Sequence, residues 1–439
     1  MKRILIVGGG YAGLYTAVGL EKLLRAGEAE VTIVEPHGYM TYQPFLPELA
    51  AGSIEPRFVA VSLRLHLRKT RVVRGSVVRV DHASRSARIR PIEGPDWDFR
   101  YDIIAVTAGA ITRTFPVDGL MENAIGLKNV EEAVAVHDRL IESFERAASL
   151  PAGEMRQRLL TVTVVGGGFS GVELFGELLS LATHLLRYYP EISLAELRFH
   201  LVEAAERILP EVTDKPGRWV VKHLRDRGGL IHLSTQVESL LDSRVRLSSG
   251  EEFDSGTVIW TAGNSAGVLV RRNTDLTTNE QGYLLVRADL RAGTAKDPTA
   301  DAWAAGDDAW VPDLAVTTGG RTVPNAQHAV RQGKRLARNI AATLRGENPV
   351  EYRHASLGVV ATLGVGHGIF QWKGVVIKGL PAWLMHRGYH VFAIPTVERK
   401  TRVLAEWIVA FFTGRDIVAL PDVRHPRKAF TSRGEPAGS

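Results

Sequence analysis

A glycine-rich turn stands between an apolar run and a helical pattern at two places in this chain. The first, "GGGYAG", follows the β-branched run at residues 4–7, and the second, "GGGFSG", follows a similar run at residues 161–165. Both fit the spacing GxGxxG, in which the first glycine allows a tight turn, the second admits a pyrophosphate and the third lets the helix pack on the strand. The helix N-terminus then faces the negative charge. Two dinucleotide sites are therefore predicted, at a first loop with Gly8, Gly10, Tyr11, Ala12 and Gly13 and a second loop with Gly166, Gly168, Phe169, Ser170 and Gly171.

An acidic residue ends the strand that follows each loop. Residues 31–34 predict a strand that ends at Glu35, and "LRFHLVE" predicts one that ends at Glu203. A carboxylate at this position accepts hydrogen bonds from a ribose hydroxyl. Glu203 would also repel a 2′-phosphate, which favours NADH over NADPH at the second loop. The repeated pattern predicts an α/β protein with two Rossmann-like dinucleotide-binding domains.

Two dinucleotides in one chain indicate electron transfer between them. The economical pair is a flavin and a nicotinamide, because a nicotinamide hydride needs an acceptor. Cysteine is absent, which excludes disulfides, dithiol redox couples and iron–sulfur clusters. The 14 histidines show no clustered ligand spacing, so we predict no metal site.

Strand ends elsewhere in the chain fit the same interpretation. Two apolar strands stop at a Thr-Ala-Gly turn, the first with Ala108 and Gly109 and the second with Ala262 and Gly263. In "DAWAAGDDAW", Asp307 follows a strand-like run and a glycine. In a flavin-binding fold such an acid binds the ribityl hydroxyls or lies beside the pyrophosphate, and the alternative is a simple strand-end turn.

The net charge of +6 suits an anionic cofactor or an anionic membrane surface. No nucleic-acid motif accompanies this charge, so no nucleic-acid partner is predicted. The apolar run at the N-terminus is too short for a secretory signal, which favours a buried strand of a cytoplasmic protein. No apolar stretch reaches the 18 residues of a membrane-spanning helix.

The segment "RKTRVLAEWIVAFF" near the C-terminus predicts an amphipathic helix. Its apolar face consists of Val403, Leu404, Trp407, Ile408, Phe411 and Phe412, and its flanking cations are Arg399, Lys400, Arg402 and Arg415. This combination suits a helix that lies in the headgroup region of an anionic bilayer. The alternative is a helix packed on the protein's own core or on a partner in a homodimer. The basic, Pro- and Gly-rich tail after Pro421 is predicted to be disordered.

Taken in order, these features resemble the two-dinucleotide-binding-domain flavoproteins of the glutathione-reductase-like superfamily. Three segments narrow the resemblance to the type II NADH dehydrogenases, which are NADH:quinone oxidoreductases. They are "GYMTYQPFLPELAAG" at residues 38–52, "AQHAVRQG" at residues 326–333, and the C-terminal segment at residues 387–418. The second is similar to the family's AQxAxQ motif, although Arg331 stands where the motif has glutamine.

The resemblance implies FAD on the first loop, NADH on the second and a quinone as final acceptor. Glu35, Pro44, Ala108, Gly109, Asp307, Ala326 and Gln327 join the first loop at FAD, and Glu203, Ala262 and Gly263 join the second at NADH. Glu177 matches a family glutamate near nicotinamide and flavin; its alternative interpretation is a solvated helix residue. Gln327 and Arg331 are the implied quinone contacts, and Gln327 and Glu177 the implied catalytic residues.

The predicted organisation is an FAD-binding domain from residues 1–115 and 270–345, an NADH-binding domain at 116–269 and a membrane-anchoring region at 346–439. We expect a peripheral protein on the cytoplasmic face of the cell membrane that passes hydride from NADH to flavin and electrons to quinone. Two alternatives stay open: a soluble NADH oxidase or reductase of a small acceptor, and a redox-responsive protein that binds both dinucleotides but turns over poorly. Disulfide and sulfide:quinone reductases share the fold but rely on cysteines.

Overall fold

The computed structural model describes residues 1–316, 320–355, 357–420 and 427, and it divides the chain into two units. The first unit comprises Met1–Thr41, Ala60–Arg113 and the described part of Asn264–Ser356. The second comprises Tyr42–Val59, Thr114–Gly263 and the described residues from Leu357 onward. The predicted disordered tail after Pro421 lies outside the described residues, Arg427 excepted.

The α-helices of the described residues include long ones behind each glycine loop and several of a single turn. In chain order they are α1 (Tyr11–Leu23), α2 (Leu46–Ala50), α3 (Leu63–His66), α4 (Leu120–Asn123), α5 (Val130–Ala148), α6 (Glu154–Leu159), α7 (Phe169–Leu185), α8 (Asp214–Asp226), α9 (Val268–Arg272), α10 (Ala326–Leu344), α11 (Leu380–Ala393) and α12 (Val397–Thr413).

The strands are mostly short. In chain order they are β1 (Lys2–Val7), β2 (Ala29–Glu35), β3 (Tyr39–Thr41), β4 (Ala60–Ser62), β5 (Arg71–Asp81), β6 (Ser86–Pro91), β7 (Trp97–Arg100), β8 (Ile103–Val106), β9 (Ala110–Thr112), β10 (Ala124–Ile125), β11 (Thr161–Val165), β12 (Arg198–Val202), β13 (Gly229–His232), β14 (Val237–Ser239), β15 (Arg244–Leu247), β16 (Glu252–Asp254), β17 (Thr257–Trp260), β18 (Asn264–Ala266), β19 (Leu284–Leu285), β20 (Arg291–Gly293), β21 (Pro298–Ala304), β22 (Ala309–Trp310), β23 (Val359–Thr362), β24 (Gly368–Trp372) and β25 (Val375–Lys378).

The core of the first unit is an eight-stranded sheet with the order β20-β21-β8-β1-β2-β5-β6-β7. The five strands from β21 to β5 are parallel, and β20, β6 and β7 extend the sheet with antiparallel pairs. Strand β1 lies at its centre, and its last four residues are buried as expected for a strand covered on both faces. Helix α10 packs closely on α1, because Gly333 and Gly19 leave space that a Cβ atom would fill.

The second unit repeats this arrangement around a five-stranded parallel sheet with the order β10-β17-β11-β12-β13. Strand β11, which carries the second loop, lies in the middle, as β1 does in the first unit. The three-stranded antiparallel sheet β14-β15-β16 contributes Val237, Val245 and Leu247 to an apolar cluster of the same unit. The predicted α/β class with two Rossmann-like domains is therefore confirmed.

The residues after Leu357 form the three-stranded antiparallel sheet β23-β24-β25, followed by α11 and α12. The structure groups this region with the second unit, whereas the sequence predicted a separate region at residues 346–439. No helix within the described ranges is long and apolar enough to cross a membrane. The function of each predicted domain stays a prediction.

Candidate functional site

The first loop has the geometry that its three glycines predict. Gly8 has φ +92°, and a Cβ atom on Gly13 would lie 1.9 Å from the carbonyl oxygen of Gly8. Both positions therefore require glycine, the first for its backbone conformation and the second for the close packing of α1 on β1. A Cβ atom on Gly10 would meet no atom within 4 Å. An open position at the start of α1 is what the predicted contact with a pyrophosphate requires.

The second loop repeats this geometry in the second unit. Gly166 has φ +112°, and a Cβ atom on Gly171 would lie 1.9 Å from the carbonyl oxygen of Gly166. Gly168, like Gly10, has nothing within 4 Å of an added Cβ atom. Phe169 and Ser170 form the first residues of α7, which has no acidic residue in its first turn. The N–H groups at this helix end can therefore face an anion without competition from a carboxylate.

The acid at each strand end is bound to its own glycine loop. Glu35 accepts hydrogen bonds from the N–H of Gly9 (2.7 Å) and of His37 (3.2 Å). Glu203 accepts from the N–H of Gly167 (2.5 Å) and of Ala205 (2.7 Å). A carboxylate has about four lone-pair sites, so each can accept ribose hydroxyls as well. The two acids therefore fix the loop and remain suited to the predicted contact.

Two threonines that the sequence analysis did not assign a role complete the loops. The hydroxyl of Thr107 donates to the carbonyl oxygen of Val7 at 2.9 Å, and that of Thr261 donates to Val165 at the same distance. Each thus binds the end of the strand that leads into a glycine loop. The signal was present in the sequence, since both residues begin the paired Thr-Ala-Gly turns that contain the predicted Ala108–Gly109 and Ala262–Gly263 contacts.

Two neighbouring aspartates follow the end of β21, and the structure distinguishes them. Asp307, the predicted ligand, is half-buried just after Gly306, and it stays a candidate for the flavin. Asp308 is fully buried, and its Oδ2 accepts a hydrogen bond from the N–H of Ala108 at 2.8 Å. Burial raises the pKa of Asp308 to about 7. The second aspartate therefore holds the Thr-Ala-Gly turn in place, a role that the sequence did not reveal.

The N-terminus of α10 carries the predicted Ala-Gln pair. The side chain of Asn325 caps the helix by accepting from the N–H of His328 at 2.9 Å. Ala326 and Gln327 are half-buried in the first turn, which has no acidic residue. The positive end of this helix is therefore compatible with a group on which negative charge develops.

Arg331 and Gln332 differ in their roles on α10. The guanidinium of Arg331 donates to the carbonyl oxygen of Gln327 at 2.8 Å, within the same helix. Gln332 is buried, and its Oε1 accepts from the N–H of Gly306 at 2.8 Å. The buried amide of this segment is thus Gln332, which connects α10 to the turn before Asp307.

Glu177 lies on the buried side of α7. Its carboxylate accepts from the hydroxyl of Thr362 at 2.9 Å and from the guanidinium of Arg415 at 3.0 Å. It is fully buried, so the alternative of a solvated helix residue is wrong. Pro44, a predicted FAD contact, lies in a turn of the second unit, whereas the first loop belongs to the first unit, so its role stays a prediction.

Glu177 belongs to a larger set of buried charges that the sequence analysis missed. Glu173, one turn earlier on α7, lies 3.2 Å from Nε2 of His386. Burial works to lower the pKa of His386, but the hydrogen bond to Glu173 and the nearby carboxylates raise it above its usual range. Glu48 accepts from Arg387 at 3.0 Å and from the indole of Trp407 at 3.1 Å, while burial raises the pKa of its carboxyl group. These pairs join α2, α7 and the C-terminal helices within the second unit.

His200, His232 and Glu251 form the one group with metal-ligand potential among the described residues. Nδ1 of His200 lies 3.0 Å from Nε2 of His232, and the two ring planes differ by 5°. Nδ1 of His232 lies 3.6 Å from a carboxylate oxygen of Glu251. Burial lowers the pKa of His200 to about 3, so its neutral ring can donate to His232. A hydrogen bond between the two rings accounts for the histidine pair, and the absence of a metal site stays a prediction.

Gly168→Ala is expected to weaken NADH binding at least about tenfold without lowering thermal stability. An added methyl group would meet no protein atom but would fill the space opposite the α7 N-terminus. Titration with NADH and a thermal melt measure the two effects. Gly267→Ala, at another position with no atom within 4 Å, is the matched control and should change neither property. Unchanged NADH binding in Gly168→Ala would show that the dinucleotide does not use the second loop.

Asp308→Asn is expected to alter the pH dependence of stability. An aspartate in the unfolded chain has a pKa of about 4, whereas folded Asp308 has one of about 7. Between these values the folded state binds the extra proton, so the group's contribution to the free energy of unfolding falls by about 1.4 kcal/mol for each unit that pH rises. Urea unfolding from pH 4 to 8 should show the variant gaining stability relative to the wild type over this range. Asp297→Asn, at an exposed aspartate, should show no such gain. If stability plotted against pH runs parallel for Asp308→Asn and the wild type, the raised pKa of Asp308 is contradicted.

Comparison with known proteins identifies the family of this chain. The sequence profile of the pyridine nucleotide-disulphide oxidoreductase family matches residues 2–333. The type II NADH:quinone oxidoreductase Ndh of Mycobacterium tuberculosis is 29% identical over 428 residues, which cover 94% of this chain and 89% of that protein. The type II NADH:quinone oxidoreductase of Staphylococcus epidermidis is 28% identical over 388 residues, covering 87% and 92%.

Solved structures have the same fold as this chain. NDH2 of Plasmodium falciparum in complex with NADH superposes with a TM-score of 0.85 and 18% identity, over 95% of this chain and 99% of that one. The sulfide:quinone oxidoreductase of Aquifex aeolicus superposes with a TM-score of 0.70 and 15% identity, over 95% and 96%. With a family match across three-quarters of its length and both glycine loops in place, this chain belongs to the pyridine nucleotide-disulphide oxidoreductase family.

Proposed function

We propose that this protein is a FAD-dependent NADH:quinone oxidoreductase. The observation that carries the proposal is the pair of glycine loops, which share one geometry. In each loop the space beside the second glycine is open, and an acid at the end of the next strand binds the loop. Two dinucleotides of this kind serve hydride transfer from one to the other. The relatives named type II NADH:quinone oxidoreductase cover most of this chain and supply the final acceptor by analogy.

In this proposal the two loops bind and orient the dinucleotides. The first loop binds FAD and the second binds NADH. Bound FAD supplies the hydride acceptor and then the electrons for the second substrate. Glu203 favours NADH over NADPH. Its Oε2 accepts a hydrogen bond from the N–H of Gly167, and its negative charge would repel a 2′-phosphate. The protein contributes position and electrostatics, and no side chain is required as a nucleophile.

Gln327 is the proposed quinone contact, and the structure shows how its amide is held. Nε2 of His354 lies 3.1 Å from Oε1 of Gln327, so an Nε2–H tautomer donates to the amide oxygen and directs the NH₂ group away from the histidine. Burial and the nearby Arg331 lower the pKa of His354, which keeps the ring neutral at pH 7. An oriented NH₂ group is the donor that a quinone carbonyl needs as it gains electrons.

Arg331 and Glu177 have narrower proposed roles. Arg331 adds a positive charge beside Gln327, which would stabilise a reduced, anionic acceptor and would equally favour a small anionic one. Glu177 is held by Thr362 and Arg415, so we propose a fixed polar group near the nicotinamide rather than a mobile base. A disulfide substrate reduced through a cysteine pair is excluded, because the chain contains no cysteine.

The test is steady-state oxidation of NADH with a short-chain quinone. We expect the rate with quinone to exceed the rate with oxygen alone at least about tenfold, and Gln327→Leu to raise the KM for quinone by about tenfold, the value of one hydrogen bond. Anaerobic flavin reduction by NADH should be unchanged in this variant. Gln281→Leu, an exposed glutamine of the same unit, is the control. A quinone rate equal to the oxygen rate would leave an NADH oxidase, and slow turnover with every acceptor would leave the redox-responsive alternative.

We also propose that α12 attaches the protein to a membrane surface as a peripheral helix, with the cytoplasmic face of the cell membrane as the predicted location. The helix has two apolar sides. Val403 is buried and Trp407 contacts Phe45 edge to face, so this side packs on the second unit itself. Phe411 and Phe412 are 83% and 77% exposed, beside Ile408, which is also exposed. This outer side and the cations near the helix start suit an anionic bilayer; the homodimer stays a prediction.

Phe411→Ser combined with Phe412→Ser is expected to reduce binding to vesicles that contain anionic lipid by at least about a hundredfold. Burying one phenylalanine contributes about 1.5–3 kcal/mol, so losing two removes most of the apolar contact. Cosedimentation with vesicles measures the change, and the thermal midpoint should not fall because neither ring is buried. Leu241→Ser with Met155→Ser, two exposed apolar residues elsewhere in the second unit, is the control. Full vesicle binding by the phenylalanine variant would contradict the attachment through α12.

A further inference from the structure

A cleft of about 720 Å³ lies in the second unit at the C-terminal end of α7. Its walls include His184, Arg187, Leu194, Asp226, Arg227, Val365 and Arg415. The second loop precedes α7, and Thr183 is roughly 20 Å along the helix from Phe169 at 1.5 Å per residue. Thr183 and the cleft residues that follow it on α7 therefore lie at the opposite end of the helix from the second loop.

The cleft has more positive charge than its carboxylates can balance. Arg415 is paired with Glu177, and Asp226 is paired with Lys222 at 2.7 Å. Neither Arg187 nor Arg227 has a carboxylate partner in the parts of the chain that the structure describes. Arg227 instead donates to the carbonyl oxygen of Leu363 and to the hydroxyl of Ser180, both of which are uncharged.

His184 lines the cleft beside these cations. Burial, followed by the charges of Arg187 and Arg415, lowers the pKa of His184. Nε2 of His184 is buried and has no hydrogen-bond partner among the described atoms. Since a buried polar atom without a partner costs free energy, a ligand that reaches it would be favoured. An anion would also relieve the repulsion among the cations.

The cleft is also lined by apolar side chains. Leu197 and Phe199 are buried behind it, while Leu194 is 61% exposed and Val365 is also exposed at its edge. A small inorganic anion would leave these apolar side chains in contact with water. A ligand with a hydrocarbon chain would cover them, and the cleft has the volume typical of small-molecule sites.

We propose that this cleft binds an amphipathic anion, with a carboxylate or phosphate head beside Arg187 and Arg227 and a hydrocarbon chain along Leu194 and Val365. The head accepts hydrogen bonds from the guanidinium groups and from His184 Nε2–H. Two sources share this chemistry: a free fatty anion and a membrane phospholipid. The inference stands on the cleft alone and does not depend on the identity of the electron acceptor.

The experiment is calorimetric titration of the FAD-loaded protein with decanoate. We expect saturable binding with one site per chain, and Arg187→Glu should weaken it at least about tenfold because an attractive charge becomes repulsive. Arg146→Glu, an exposed arginine of the same unit outside the cleft, should bind decanoate as the wild type does. Leu194→Asp should also weaken binding, while Leu241→Asp, with a similarly exposed leucine, should not. Both altered cleft residues are exposed, so the variants retain the fold.

Three further probes identify the source and test the chemistry. If monomeric dihexanoylphosphatidylglycerol binds and displaces decanoate, the source is a phospholipid. If decanoate binds and the phosphatidylglycerol does not, the source is a free fatty anion. Inorganic phosphate should bind at least about tenfold more weakly than decanoate, since it gains nothing from the apolar wall. The proposal is overturned if decanoate does not bind, if Arg187→Glu and Arg146→Glu bind it equally, or if inorganic phosphate binds as well as decanoate.

Discussion

The fold of each dinucleotide-binding half depends on one close approach between a helix and a strand end. At Gly13 and again at Gly171, the position of a Cβ atom lies 1.9 Å from a carbonyl oxygen of the loop, a distance that no side chain could occupy. This approach places the first N–H groups of α1 and α7 directly beyond the strands, while Gly10 and Gly168 stay open in front of them. The acid of the next strand and the threonine of a Thr-Ala-Gly turn then bind the same loop from two sides. The surface proposed to bind a pyrophosphate is thus a consequence of packing.

The first unit extends this constraint to α10. Gly333 lets the helix approach the backbone of Ala12, where a Cβ atom would be 2.4 Å from the carbonyl oxygen, and the hydroxyl of Thr16 reaches Gly333 across the contact. Gln332 then binds the turn at Gly306, beside the two aspartates. The N-terminus that carries Gln327 is therefore fixed to the same helix that begins at the first loop. Placement of the proposed donor at this end therefore depends on a glycine fewer than two turns away on the same helix.

The sequence was sufficient for the features that depend on local spacing. Both loops, Glu35, Glu203 and the amphipathic character of α12 were predictable, because each follows from the order of a strand, a helix and the next strand or from the periodicity of one helix. Asp308 was missed because two adjacent aspartates look alike until the backbone direction decides which one is buried. The exposed and buried sides of α12 were also indistinguishable, since both are apolar and only tertiary contacts separate Trp407 from Phe411.

The buried charges could not be predicted for a different reason, namely that their partners are distant in the chain. Glu48 meets Arg387, and Glu177 meets Arg415, across 339 and 238 positions. Each of these residues alone has the usual pattern of a solvated side chain, and only the fold brings them together. Without such a partner, a carboxylate buried in the second unit would be strongly destabilising.

These ion pairs change how the C-terminal region should be regarded. A purely membrane-attaching segment could be removed without affecting the nucleotide-binding unit. Here, loss of α11, α12 and Arg415 would remove the cationic partners of Glu48, Glu173 and Glu177. Breaking a buried pair costs about 3–5 kcal/mol where the remaining charge stays buried. Truncation would therefore disturb the core of the second unit and the membrane contact together. The contributions to core stability and to membrane binding can be separated only at exposed residues such as Phe411. Val403, on the same helix, is buried in the core.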